Sequence, residues 1–215
     1  MTIFSQLQNM NPATIAVIGL GVFLILWYIA AHMYNRRRGR YHFNWLEKGL
    51  DVLGGERESG WIGSPNSGAR INVTHAAPPF RRLEITLLLA NRESPLLWLF
   101  DYLRRKRDRL IIRATLRSPR RGKVEITHAR KKSTHPQERQ REGPHGLIVT
   151  HQGHTTQQQI ARLEAWLANY GMHVQRFIWR KSDPHIQLQV RIAGLLTTPS
   201  ETFLADLQAA LKRVS

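Results

Sequence analysis

The first stretch of this chain shows no alternation of polar and apolar positions. Residues 13–33, ATIAVIGLGVFLILWYIAAHM, are apolar on nearly every side of a helix. At 1.5 Å per residue, about 20 such residues cross the hydrocarbon core of a bilayer. A helix also satisfies its own backbone hydrogen bonds, which lipid cannot do. The pattern predicts a transmembrane helix over residues 13–34, preceded by a short extracytoplasmic segment, residues 1–12. A cleaved signal peptide fits poorly, because residues 1–12 contain no Lys or Arg and no Ala-x-Ala pattern ends the run. A buried helix of a soluble protein would show a polar stripe over this length.

Shorter periods follow. Phe43, Leu46, Leu50 and Leu53 recur on one helical face before Gly54-Gly55, so residues 35–68 read as a basic juxtamembrane segment with an amphipathic helix and then a Gly/Ser/Pro-rich loop. That helix suits either the membrane interface, together with Trp45, or the surface of the following domain. Residues 69–128 read as a ββαββ unit. Leu83, Ile85, Leu87 and Leu89 alternate with polar neighbours, as do Leu110, Ile112, Ala114 and Leu116. Between these strands Ser94-Pro95 is a helix start, Ser as N-cap and Pro at N1. The apolar run that follows assigns Leu96, Leu99 and Leu103 to the core, with lipid contact by Trp98 and Phe100 as the alternative. Residues 129–146 are charged, almost without large apolar side chains, and read as a basic linker.

The last third, residues 147–215, reads as βαββα. Thr156-x-x-Gln159 and Thr198-Pro199-Ser200-Glu201 mark two helix starts, and Ile186, Leu188, Val190 and Ile192 alternate strictly. This order resembles a ferredoxin-like or ACT-like module lacking its final strand; the resemblance is one of element order, without a diagnostic motif. A strand from the first unit could complete the sheet. The fold class expected is α+β: a single transmembrane helix, then a mixed or antiparallel sheet with helices on one side.

Charge adds orientation. The formal net charge is +17, and residues 81–142 alone hold 18 Lys/Arg against 7 Asp/Glu, a balance of 18 − 7 = +11. Arg36, Arg37, Arg38 and Arg40 directly follow the apolar run. Under the positive-inside rule they belong to the cytoplasm, giving a single-pass cell-membrane protein with its N-terminus outside and its C-terminal domain cytoplasmic. Trp27, Tyr28 and Tyr34 suit the headgroup region, where amphipathic rings concentrate. Arg104, Arg105, Lys106, Arg107, Arg109, Arg120, Arg121, Lys123, Arg130, Lys131 and Lys132 are the candidate ligands for an anionic inner leaflet or an acidic or membrane protein partner. Nucleic acid would also attract them, but no recognised nucleic-acid-binding signature is present.

Candidate chemistry changes this little. The chain has no cysteine, which removes disulfides, thiolate metal sites and a cysteine nucleophile. His151 and His154, with His145 nearby, form the one cluster resembling metal ligands, but it lacks the third or fourth convergent ligand that a zinc site needs. No P-loop, dinucleotide fingerprint, G-x-S-x-G or HExxH pattern occurs. The reading is a non-catalytic interaction, scaffold or regulatory module without a cofactor. A tethered nucleic-acid binder and an enzyme or metal protein using His151 and His154 are the alternatives.

Overall fold

A computed structural model describes residues 11–118, 122–128, 138–152 and 157–212. Helix α1 runs without a break from Pro12 to Gly49 and closes with a 3-10 turn at Leu50–Leu53. The separate juxtamembrane helix expected from the periodicity is therefore the last part of this same helix. Asn11 caps its start, its Oδ1 accepting from the Ala13 amide at 3.0 Å. The buried positions of α1 are Ala31, Asn35, Gly39, His42, Leu46 and Gly49, spaced four, four, three, four and three apart. That spacing is one helical stripe, and it lies wholly in the second half of the helix.

Strands β1 (Glu56–Trp61), β2 (Gly68–Thr74), β3 (Phe80–Leu88) and β4 (Arg109–Leu116) form a meander. Helix α2 (Pro95–Leu103) is inserted between β3 and β4. Then come β5 (Lys123–Thr127), β6 (Glu138–Glu142), β7 (Ile148–Gln152), α3 (Gln157–Tyr170), β8 (Val174–Trp179), β9 (Ile186–Arg191), the single turn α4 (Ile192–Leu195) and α5 (Ser200–Leu211). The nine strands make one antiparallel sheet in the order β1-β2-β3-β4-β9-β8-β5-β7-β6. Both halves of the chain therefore share it. β4 pairs with β9, and β5 lies between β8 and β7. The resemblance to a ferredoxin-like module is not carried by this order. There, the second strand of the β8–β9 hairpin would fill the gap between β7 and β8; here β5 fills it, and β9 turns outward to β4.

Two segments read from sequence as loop and linker contain strands. β1 is exposed at all six positions, and β6 (ERQRE) pairs only with β7. They are the two edges of the sheet. An edge strand is held by backbone bonds to one neighbour and needs no apolar alternation, and its charges oppose further pairing. Gly54 and Gly55, both at positive φ, turn the chain from α1 into β1. A Cβ at Gly55 would overlap the Thr74 carbonyl oxygen.

One face of the sheet is apolar and covered. Ile71, Leu83, Ile85, Leu110, Ile112, Ile126, Phe177 and Leu188 are all fully or almost fully buried. Phe203 of α5 is buried among the rings of Trp45, Trp166 and Tyr170, so α1, α3 and α5 meet at one side chain. Leu46, Leu50 and Leu53 belong to this core, which places the amphipathic stripe on the domain. At the helix start marked by Thr198-Pro199-Ser200-Glu201, α5 begins at Ser200; the Thr198 carbonyl accepts from Trp45 Nε1 at 2.9 Å, and the Ser200 hydroxyl donates to the Trp45 carbonyl. The other face of the sheet is polar, with Arg70 and Arg113 flanking Glu84 and with Arg176 paired to Glu125. An antiparallel sheet with one wet face alternates in this way.

Candidate membrane interface

The second half of α1 enters the domain through polar side chains. His32, Asn35, Arg38 and His42 lie three, three and four residues apart, on the face turned to the sheet. Asp108, at the start of β4, is the centre of the cluster. Its carboxylate is fully buried and accepts from the Arg38 guanidinium, from Arg92 Nη2 at 3.0 Å and from the Ala90 amide at 2.9 Å. His42 Nε2 lies 3.6 Å away. Burial by itself would push the Asp108 carboxyl upward. The His42 imidazole, the Ala90 amide and the charges of Arg92 and Arg38 outweigh it and hold the group well below the usual carboxylate range. Asn35 donates to the Ala90 carbonyl at 3.2 Å and accepts from Arg92 Nη1 at 2.9 Å. One turn earlier, Glu93 lies 3.2 Å from His32 Nδ1 and accepts from Asn66 Nδ2 at 2.9 Å.

These contacts set the direction of the sheet. Asn66 and Glu93 meet α1 near His32, while the Ala77 amide bonds to the Leu53 carbonyl at 2.6 Å. Strand β2 and the second half of α1 therefore run side by side. Gly39 and Gly49 permit the approach: a Cβ on Gly39 would overlap the Pro65 carbonyl oxygen, and one on Gly49 would lie 2.6 Å from the Ser200 carbonyl carbon.

Before Ala31, α1 buries no residue. Its most apolar 18-residue window has no residue buried, and this helix is long and apolar enough to cross a membrane. Helix α2 lies against it. Trp27 Nε1 donates to the Arg92 carbonyl at 3.0 Å, and the rings of Trp27 and Trp98 are 5.3 Å apart. The assignment of Leu96, Leu99 and Leu103 to the core is overturned: Leu96 is 71% exposed, Leu103 is 68% exposed and α2 buries no residue. The physical reason is position. Cap and composition make the helix, but β3 and β4 deliver it beyond the end of the sheet, beside α1 rather than over the core.

The candidate interface residues divide accordingly. Trp27, Tyr28 and Tyr34 lie on the bare or half-bare part of α1; Arg36, Arg37 and Arg40 are exposed. Arg38, grouped with them from sequence, is turned inward to Asp108. Trp45, read as an interface residue, is packed against Phe203 instead. Arg104, Arg105 and Arg107 are exposed beside α2. Lys106 pairs with Asp101 at 2.9 Å, Arg107 stacks 4.9 Å from the Tyr102 ring centroid, and Arg109 starts β4. Lys123 is at the opposite end: the pairings of β4, β9, β8 and β5 put it level with Trp179 and Ile186, far from Arg109. Arg120, Arg121, Arg130, Lys131 and Lys132 lie outside the described residues.

His145, His151 and His154 gain no support as a metal site. His145 Nε2 is 2.9 Å from the Ala168 carbonyl, His154 is outside the described residues, and His151 sits within β7. Burial, then the charges of Arg141 and Arg139, hold the His151 imidazole below its ordinary range. Among the described residues no group of three His, Asp or Glu side chains is placed to hold a metal ion. The residues that sequence reasoning missed are His32, Asn35, His42, Asn66, Arg92, Glu93 and Asp108. The available signal was the polar spacing on α1 after the apolar run, and the lone acid within RRKRDR. No protein-family model matches this chain, and no relative is found among curated proteins.

Proposed function

We propose that this chain is a single-pass membrane protein whose first helix both crosses the bilayer and forms part of its cytoplasmic domain. The domain is then a basic interaction or scaffold module, held in one orientation against an anionic inner leaflet and facing an acidic partner in the same membrane. The observation that carries this reading is the division of α1: a bare apolar half continuous with a half locked to the sheet by Asp108, Arg38 and Arg92. Exposed Arg36, Arg37 and Arg40, with Arg104, Arg105 and Arg107 beside α2, favour the N-out, C-in orientation through the positive-inside rule. Each cation held near an anionic surface contributes about 1 kcal/mol within a Debye length of about 8 Å.

A tethered nucleic-acid binder has less to favour it. The wet face of the sheet presents arginines but, among the described residues, no aromatic ring on which a base could stack. The absence of cysteine makes the topology directly testable. With Ser5→Cys, an impermeant maleimide labels intact cells; with Lys48→Cys, it labels only after permeabilisation; and both proteins stay in the membrane pellet after alkaline carbonate. Labelling of the Lys48→Cys protein in intact cells, or release of the chain into the carbonate supernatant, overturns the proposal.

A further inference from the structure

We infer that α2 is a second membrane element, a short helix embedded in the acyl-chain region of the cytoplasmic leaflet beside α1. This rests on the anchor reading above and adds what covers α2.

Exposed apolar surface has a restricted location. Among the described residues, large exposed apolar side chains lie on α1 between Ile15 and Tyr41 and on α2, with only Trp61 and Met172 elsewhere. The two helices touch through Trp27 and Trp98, so their bare surfaces are continuous. At about 100° per residue, Tyr102, Leu99, Leu103, Leu96, Phe100 and Leu97 of α2 together span an arc of about 220°. A helix docked in a protein groove needs a single stripe. An arc this wide suits a medium that wraps the helix, and the remaining side is taken by Trp98 against Trp27.

The polar neighbours set the depth. Twenty residues from Pro12 rise about 30 Å, the thickness of the hydrocarbon core, and bring the cytoplasmic boundary to His32. There the chain supplies Glu93, Asn66 and Arg92. Trp27 is five residues earlier, so Trp98 lies about 7 Å inside the boundary, the depth of an interfacial helix. Immediately after α2, Arg104, Arg105 and Arg107 are exposed, where lipid phosphates would meet them.

The test uses the full chain in vesicles of mixed zwitterionic and anionic phospholipid. Nitroxides are attached to single cysteines replacing Leu96, Leu99, Phe100 or Leu103, with Val22→Cys and Asn169→Cys as lipid and water references. Collision with oxygen, relative to collision with a water-soluble nickel complex, is expected to be several-fold higher at the four α2 sites than at Asn169, and to approach the value at Val22. A lipid-like Val22 with water-like α2 sites overturns this inference and leaves the anchor standing. A lipid-like Val22 with α2 sites shielded from both probes also overturns it, because protein then covers the helix. A water-like Val22 removes the anchor, and this inference with it.

Discussion

Asp108 is a fully buried carboxylate surrounded by three cationic or ionisable side chains, and its removal leaves Arg38 and Arg92 without their counter-charge. Breaking a buried pair from one side costs about 3 kcal/mol. For a domain of this size that corresponds to about 8 °C in Tm, so Asp108→Asn should melt lower by that amount in detergent micelles. The pH dependence has a definite sign. The folded carboxyl titrates below its ordinary value, so in that interval the unfolded chain binds a proton that the folded chain does not. The stability Asp108 contributes is full above about pH 4 and is lost as pH falls towards the depressed folded value. Melting curves between pH 2 and pH 5 should therefore show a decline below about pH 4 that is shallower in Asp108→Asn. This residue was hard to find in the sequence. Within RRKRDR a single acid reads as part of a solvated charged run, and the bonds that bury it come from residues 16 to 70 positions away.

At the scale of elements, legibility followed local periodicity. Leu83 to Leu89, Leu110 to Leu116 and Ile186 to Ile192 announce strands because each alternates within its own segment. β1 and β6 do not, because an edge is defined by its neighbour and by its charges. Helix α2 was legible as a helix but not in its surroundings, since a run such as LLWLFDYL has the same composition in a core and in lipid. The docking of α1 on α5 depends on backbone proximity at Gly49, which no hydropathy pattern reports. Gly49→Ala places a methyl 2.6 Å from the Ser200 carbonyl carbon, where backbone must move. Overpacking of this kind costs about 1–3 kcal/mol. The variant should melt lower; an unchanged melting temperature would mean that α1 and α5 are not closely packed there.

For the whole molecule, the interlocked strand order decides how the parts behave. With β5 between β7 and β8, and β9 against β4, neither half owns a complete sheet. The pairing that creates this arrangement is non-local, and no segment of the sequence carries it alone. α1 belongs to the same unit, because its second half covers part of the core. On the proposed function, helix and domain are one body that continues into the bilayer, rather than a domain on a flexible tether. Spin labels on Val22→Cys and Lys48→Cys, measured by pulsed dipolar spectroscopy on the full chain in lipid vesicles, test this most directly. An unbroken helix predicts a single narrow distance of about 39 Å from 26 residues at 1.5 Å each. A broad or markedly shorter distribution would reveal a hinge between bilayer and domain and contradict the account.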